Sequence, residues 1–307
     1  MRLVIGVLAT VLSVCVAQAK SVKVLIIGNS FSVSVMNHLP KAAEAMPGCE
    51  LSVVSMYIGG CSLQRHWENV EKAGDAAFKP YDIRTSGYQG KPVGKKANIP
   101  ELLTAEKWDV VTIQQASHES WKPESYHPYA DRLIAKIKEL APQAEIVIQQ
   151  TWSYCNADDR IRMPGAKWGF DQTGMYDRLT KNYTDLAKQY RLRVIPTGYA
   201  IQLYRQALPV TFVPPTAEAR QALKRPALPD MGGEVVGKYH WQEKDGVDAL
   251  RCDTIHLNRA GEYLQACVWL AFLFDADVET LSYTPENLPH AELIRSCARK
   301  AVKTFSF

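Results

Sequence analysis

Residues 22–33 read VKVLIIGNSFSV, and this stretch decides the fold. Its first half is an apolar run rich in β-branched residues, which is typical of a strand buried on both faces. Gly28 and Asn29 interrupt the run, and a helical pattern begins near Val33. A buried strand that passes through a short turn into a helix is the repeating unit of a parallel sheet covered by helices.

The same alternation continues along the chain in both directions from this unit. It predicts a single three-layer α/β/α domain, residues 20–307, around a flavodoxin-like sheet of five parallel strands. The predicted strands are 22–28, 50–58, 108–115, 144–151 and 191–196, and the predicted helices are 32–46, 126–141, 174–190, 258–275 and 287–305.

Three segments do not fit the alternation and are predicted to be insertions. They are residues 78–99, 153–173 and 207–250, and each is rich in turn formers or aromatic residues. Loops this long in a compact domain are usually functional or disordered.

The start of the chain predicts export. Arg2 precedes an apolar run from Leu3 to Val16, and Ala17-Gln18-Ala19 fits a cleavage site before Lys20. We therefore expect residues 1–19 to be a signal peptide and the protein to be periplasmic or extracellular. The run is shorter than the roughly 20 residues that cross a bilayer, so stable membrane insertion is not expected. A lipid anchor at Cys15 is the alternative.

Charge and cysteines limit the function classes. Removing Arg2 with the signal peptide lowers the net charge from +4 to +3, which does not favour a nucleic-acid partner. Six cysteines remain, and an oxidising compartment allows disulfides; a bridge between Cys61 and Cys252 is one hypothesis. No Cys or His spacing matches a metal site, so we predict no metal and no cofactor. The oligomeric state is not predicted.

Two short motifs carry candidate chemistry. Ser30 follows the first strand, at the carboxyl edge of the sheet where ligands bind in such folds. Its other interpretation is a plain helix cap. Asp253-Thr254-Ile255-His256 precedes a long helix, and an Asp three residues before a His can orient the imidazole as a base. A turn aspartate beside a surface histidine is the alternative.

Together these motifs resemble the SGNH (GDSL-like) hydrolases. The nucleophile block of that superfamily matches Gly28-Asn29-Ser30, with Asn29 in place of the usual Asp, and its Asp-x-x-His block matches Asp253 to His256. The resemblance implies a serine esterase with Ser30, His256 and Asp253 as catalytic triad. It also implies an oxyanion hole from Ser30 and Gly60, the latter by the match of Gly60-Cys61-Ser62 to Gly-x-Ser.

The remaining block of the family departs from the pattern. Gln114-Gln115 stands where the family has Gly-x-Asn-Asp. A Gln amide can donate a hydrogen bond as Asn does, so we predict Gln115 as the third oxyanion donor, with Gln114 as the alternative.

The substrate is predicted from export and from aromatic side chains in the loops. Similar secreted members of the superfamily remove acetyl groups from glycans, so an O-acetylesterase acting on a carbohydrate, either a small molecule or a polysaccharide, is the leading hypothesis. Two alternatives are a longer-chain acyl esterase or thioesterase, and a glycan-binding protein without turnover. The predicted substrate contacts are His118, Trp121, Trp152 and Trp241.

Overall fold

The computed structural model describes residues 19–307. The predicted signal peptide and Cys15 therefore lie outside the described residues, apart from Ala19 itself. No helix in residues 19–307 is both long and apolar enough to cross a membrane.

The core of the protein is a mostly parallel sheet, as the alternation predicts. Residues 19–307 contain nine strands, which are β1 (Lys20–Gly28), β2 (Cys49–Tyr57), β3 (Tyr81–Ser86), β4 (Lys96–Ala97), β5 (Val110–Ile113), β6 (Glu145–Gln149), β7 (Arg193–Ile195), β8 (Val236–Lys244) and β9 (Val247–Leu257). They form two sheets, and the larger has the order β4-β3-β2-β1-β5-β6-β7. The five predicted strands are β1, β2, β5, β6 and β7, and their pairings with each other are parallel.

The strand count is larger than predicted, because the insertions carry strands of their own. β3 and β4 come from the segment 78–99 and extend the sheet beyond β2 with antiparallel pairing. β8 and β9 form a separate two-stranded antiparallel sheet, most of which lies in the segment 207–250. The predicted α/β/α class is confirmed, and the five-stranded count is corrected to seven strands plus a hairpin.

Helices cover both faces of the sheet. The helices of residues 19–307 are α1 (Ser30–Val33), α2 (Leu39–Glu44), α3 (Leu63–Glu71), α4 (Ile99–Ala105), α5 (Tyr129–Leu140), α6 (Gln172–Tyr190), α7 (Thr197–Ala207), α8 (Ala217–Ala222), α9 (Arg259–Phe274) and α10 (Ala291–Thr304). One layer contains α7, α9 and α10, which contact each other, and α2, which contacts α9. The other layer contains α3, α4 and α5, and α6 joins it through a hydrogen bond from Tyr190 to Asp131 of α5.

The first predicted helix, 32–46, is broken in the structure. It consists of α1, a 3₁₀ turn at Ser34–Asn37, and α2. Pro40 lies in the first turn of α2, where its missing N–H costs nothing but where it prevents a continuous helix from running through.

The strand order determines where a site can form. Among the parallel strands β1 lies between β2 and β5, so the chain leaves β1 towards one face and β5 towards the other. At such a switch point the loops after neighbouring strands separate and leave a crevice at the carboxyl edge. The loops after β1, β2 and β5 carry Ser30, Gly60 and Gln114.

Candidate active site

Ser30 is the first residue of α1, and it does not cap the helix. Asn29 is the cap: its side-chain oxygen accepts from the Phe31 N–H at 3.0 Å, and Ser32 Oγ accepts from the Asn29 N–H at 3.1 Å. The turn requires Gly28, since a Cβ there would lie 2.0 Å from Ser32 Oγ. The Ser30 hydroxyl is therefore left free for another partner.

That partner is His256. His256 Nε2 lies 2.9 Å from Ser30 Oγ, and His256 Nδ1 lies 2.9 Å from Asp253 Oδ2. The second carboxylate oxygen accepts from the backbone N–H groups of Ile255 and His256, both at 3.0 Å. The structure thus joins the three predicted triad residues in one hydrogen-bonded chain, across 226 residues of sequence.

Asp253 and His256 reach the same side of β9 because the strand is irregular between them. Side chains three residues apart on a regular strand point to opposite faces. Val236 pairs with Leu257 and Lys238 pairs with Asp253, so between these two pairs β9 advances by four residues while β8 advances by two. Such a bulge redirects side chains, and here it lets Asp253 contact the His256 ring.

The surroundings of Asp253 keep its carboxyl group ionised. Burial alone would raise the pKa of Asp253, but the hydrogen bonds from the His256 ring and from the two backbone N–H groups outweigh it. The net result is a pKa well below the ordinary value of 3.8. A permanently charged Asp253 favours the imidazole tautomer with the proton on Nδ1, which leaves Nε2 as the base.

This lowered pKa predicts how stability depends on pH. A carboxyl group whose pKa is lower in the folded than in the unfolded state stabilises the fold when the pH is above the unfolded pKa. This contribution is lost as the pH falls from the unfolded pKa through the folded pKa. We expect the unfolding free energy of the wild type minus that of Asp253→Asn to be constant above about pH 5 and to shrink below about pH 4. Urea unfolding of both proteins across this range measures it. A difference that grows towards acid would contradict the assignment.

Two backbone N–H groups of the predicted oxyanion hole, those of Ser30 and Gly60, are free of other partners. Within residues 19–307 neither the Ser30 N–H nor the Gly60 N–H has a hydrogen-bond acceptor. Gly60 has a φ of +59°, a conformation that glycine adopts without strain, and a Cβ there would meet no atom within 4 Å. The loop after β2 therefore has bare, unobstructed backbone at Gly60, and its role in an oxyanion hole stays a prediction.

Gln115, the predicted third donor, is fully used elsewhere. Its Oε1 accepts from the N–H groups of Leu63 and Ala116 at 2.9 and 2.8 Å. Its Nε2 donates to the carbonyl and the hydroxyl of Ser125 at 2.8 and 3.0 Å. The side chain is 1% exposed. This geometry leaves Gln115 no N–H for an oxyanion, and the residue instead braces the loop that carries Gly60.

The alternative donor, Gln114, holds the nucleophile turn. Its Nε2 donates to Asn29 Oδ1 at 2.6 Å, and Asn29 Nδ2 in turn donates to the Cys61 carbonyl at 3.0 Å. Asn29 therefore links the ends of β1, β2 and β5. The sequence marked Asn29 as a departure from the family pattern, but only the folded arrangement shows its bridging contacts.

The bracing role of Gln115 gives a second prediction. Gln115→Met keeps the length of the side chain but leaves buried N–H groups without acceptors, each of which costs about 1–3 kcal/mol. We expect the unfolding free energy to fall by about 3 kcal/mol. Denaturant unfolding measures this, and Gln143→Met, at an amide with one long contact to the Trp108 carbonyl, is the matched control. Unchanged stability together with a lower kcat would restore Gln115 as a donor.

The predicted aromatic contacts have different surroundings. Trp152 is 1% exposed and stacks on Phe31 at 4.1 Å, so it is a core residue and not a sugar platform. Trp241 is half-buried in β8 and donates from its indole to the Ala227 carbonyl, which holds the insertion 207–250 together. Trp152 thus packs beneath the candidate site, against the residue that follows Ser30.

Trp121 and His118 lie on the loop after β5, on the Ser30 side of the sheet. Trp121 is half-buried and contacts Trp168 and Phe170 with ring centroids 5.1 Å apart in both cases. His118 is exposed, with its ring 3.8 Å from the Glu119 carboxylate. These two residues remain predicted substrate contacts.

The site is open. The side chains of His256 and Asp253 are 38% and 22% exposed, so the candidate triad lies at the surface of the protein. A separate cleft of about 620 Å³ lies at the amino edge of the sheet around Lys23 and Glu50, opposite to Ser30.

The cysteines near the site are not bridged. Cys61 and Cys252 are free thiols, as are the other four cysteines of residues 19–307, so the hypothesis of a bridge between them is wrong for this structure. Burial raises the pKa of Cys61 to about 12, which keeps this thiol protonated beside the Gly60 loop.

Comparison with known proteins places the chain in a family. A DUF4886 family protein from Bacteroides uniformis is 27% identical, with a TM-score of 0.71 over 93% of this chain and 96% of that one. A putative SGNH hydrolase from Slackia heliotrinireducens is 19% identical, with a TM-score of 0.46 over 81% of this chain and 97% of that one. A putative GDSL-like lipase from Parabacteroides merdae is 14% identical, with a TM-score of 0.46 over 83% and 96%. No curated protein matches the chain.

The α/β/α fold and the order of the blocks along it agree with what the resemblance to SGNH hydrolases implies. The family model described as "Domain of unknown function (DUF4886)" matches residues 23–209, which is more than half of the chain. The protein therefore belongs to the DUF4886 family.

Proposed function

We propose that the protein is a serine ester hydrolase that removes O-acetyl groups from a carbohydrate. The single observation that carries the proposal is the hydrogen-bonded chain from Ser30 through His256 to Asp253. A serine hydroxyl is a weak nucleophile until a base takes its proton, and this chain supplies an oriented base.

In the proposed acylation step, Ser30 Oγ attacks the ester carbonyl carbon while His256 Nε2 takes the hydroxyl proton. The tetrahedral intermediate carries its negative charge on the former carbonyl oxygen. It collapses when the bond to the alcohol oxygen breaks, and His256 returns the proton to that oxygen. Asp253 stabilises the transient imidazolium through Nδ1.

In the proposed deacylation step, His256 takes a proton from a water molecule that attacks the acyl-Ser30 ester. The acid leaves, and Ser30 recovers its proton from His256. In this proposal the free N–H groups of Ser30 and Gly60 stabilise both oxyanions, and each such donor typically contributes about 3 kcal/mol to catalysis.

Support for a short acyl group on a bulky alcohol comes from the openness of the site. A long acyl chain needs an apolar channel beside the nucleophile, whereas the His256 side chain that contacts Ser30 is 38% exposed. The loops after β5 and β6 instead bring together half-buried Trp121 and Trp168, whose rings suit stacking on a sugar. Export, which the first 19 residues predict, would place the enzyme where polysaccharides occur.

The test is release of acid from acetylated polysaccharides, acetylated sialoglycans and a series of short to long acyl esters. Acetate released from a glycan, in preference to butyrate or octanoate from simple esters, is the expected result. Preference for long acyl chains would replace the substrate and keep the mechanism. Glycan binding by calorimetry without any release of acid would favour a binding protein on the same fold.

A further inference from the structure

The two middle residues of the segment from Asp253 to His256 are held by the loop after β6. The Cys155 N–H donates to the Thr254 carbonyl at 2.9 Å, and Trp152 Nε1 donates to the Ile255 carbonyl at 3.0 Å. The Thr254 hydroxyl donates to Asp158 Oδ2 at 2.5 Å. All three contacts lie between the candidate triad residues in sequence, and none involves the side chain of Asp253 or His256.

The hairpin needs such an anchor. In the described part of the chain β9 pairs with β8 alone, and these two strands form a sheet separate from the one that carries Ser30. The 2.9 Å contact between Ser30 Oγ and His256 Nε2 therefore joins two sheets that share no ladder. Contacts from the loop after β6, which does belong to the large sheet, fix the distance between them.

Asp158 is itself held firmly. It is 5% exposed, and Arg160 donates to both of its oxygens, from Nε at 2.7 Å and from the Nη2 group at 2.5 Å. Burial would raise the pKa of Asp158, but the hydrogen bonds from Arg160 and Thr254 lower it below its ordinary value. A buried carboxylate that is ionised and paired in this way is a strong acceptor.

The guanidinium of Arg160 also has fixed surroundings. It lies over the Tyr154 ring at 4.5 Å and over the Trp168 ring at 5.2 Å from the centroids. The chain of contacts thus runs from the aromatic residues of the loop, through Arg160 and Asp158, to the Thr254 hydroxyl. The last contact in this series, from Asp158 to the Thr254 hydroxyl, therefore holds the backbone between Asp253 and the candidate base His256.

We propose that Thr254 and Asp158 are a positioning pair, which holds His256 at the distance and angle needed to reach Ser30. The proposal rests on the proposed function of the triad. Neither residue touches the substrate or the reacting atoms. Removal of the Thr254 hydroxyl would let the bulged part of β9 move, and a displacement of about 1 Å at a catalytic group can lower the rate about 100-fold.

The experiment compares Thr254→Val, which removes the hydroxyl, with Thr254→Ser, which keeps it. Thr184→Val is the matched control, because within residues 19–307 the Thr184 hydroxyl donates only to the Lys181 carbonyl of its own helix. The readouts are kcat and KM for an aryl acetate, and the low-field proton NMR signal of His256 Nδ1–H, assigned by its loss in His256→Ala.

We expect Thr254→Val to lower kcat about 10- to 100-fold with KM changed less than about twofold, and to shift or broaden the Nδ1–H signal. Thr254→Ser and Thr184→Val should keep both readouts close to the wild type. Unchanged kcat and an unchanged signal in Thr254→Val would overturn the proposal, as would a Ser variant as impaired as the Val variant.

Two further cases are covered by the design, a Thr254→Val variant that does not fold and a wild type that hydrolyses no ester. If Thr254→Val does not fold, Asp158→Asn gives the same readouts, because it removes the charge that accepts the Thr254 hydroxyl. If the wild type hydrolyses no ester, the proposed function fails. The NMR signal still tests whether the pair positions His256.

Discussion

Ser30→Ala is expected to lower kcat for ester hydrolysis by a factor of about 10⁴ to 10⁶ and to leave the protein folded. Without the hydroxyl no acyl-enzyme forms, and only direct attack by water, aided by the backbone N–H groups, remains. The fold does not depend on this hydroxyl, because Asn29 and not Ser30 caps α1. The measurement is the rate of acid release, beside a thermal melt of the same sample.

The control for Ser30→Ala is another serine of the same segment. Ser34 donates to Gln265 Oε1 at 2.7 Å, so Ser34→Ala costs about 1 kcal/mol of stability but touches no reacting group. It should keep kcat within about threefold of the wild type. A Ser30→Ala protein that still hydrolyses esters at the wild-type rate would remove Ser30 from the mechanism altogether.

Asp253→Asn is expected to lower kcat about 10⁴-fold. One oxygen of residue 253 accepts from the Ile255 and His256 N–H groups, so the Asn carbonyl must stay there and its NH₂ group must face His256 Nδ1. A donor then faces a donor unless the imidazole moves its proton to Nε2. In that tautomer Nε2 cannot take the proton of Ser30.

Further readouts distinguish the loss of the Asp253 carboxylate from a general loss of structure in the Asp253→Asn variant. The low-field Nδ1–H signal of His256 should disappear in the variant, while KM changes little and the variant still unfolds cooperatively, at a lower thermal midpoint because the stabilising carboxylate is gone. Asp159→Asn, at an exposed carboxylate that pairs only with Arg162 in residues 19–307, is the control and should match the wild type. A kcat for Asp253→Asn within tenfold of the wild type would mean that Asp253 does not orient the base.

The five parallel strands and the three residues of the candidate triad could be predicted from the sequence because each has a local signature. A buried parallel strand is a continuous apolar run, and Ser30 and His256 lie at the ends of such elements in a recognised order. Strand β3, which lies between β2 and β4, was not predicted, because three of the six residues of Tyr81–Ser86 are exposed and its polar residues resemble a loop.

The hairpin β8–β9 had a signal that the prediction did not use. Asp245 and Gly246 have φ values of +53° and +76°, and Asp-Gly between two strands is a strong hairpin marker. The bulge beside Thr254 had none, because it depends on the register of two strands. The role of Gln115 was not readable either, since a Gln amide serves equally as a donor to a substrate and as a brace for buried backbone groups.

The most direct test of the central claim is covalent labelling with an alkyl fluorophosphonate, which reacts with serines activated by a neighbouring base. Peptide mapping by mass spectrometry after labelling should find a single phosphonyl group on the peptide that contains Ser30, and labelling should be lost in Ser30→Ala and slowed strongly in His256→Ala. An unlabelled wild type, or equal labelling of wild type and His256→Ala, would contradict the claim that His256 activates Ser30 as the nucleophile.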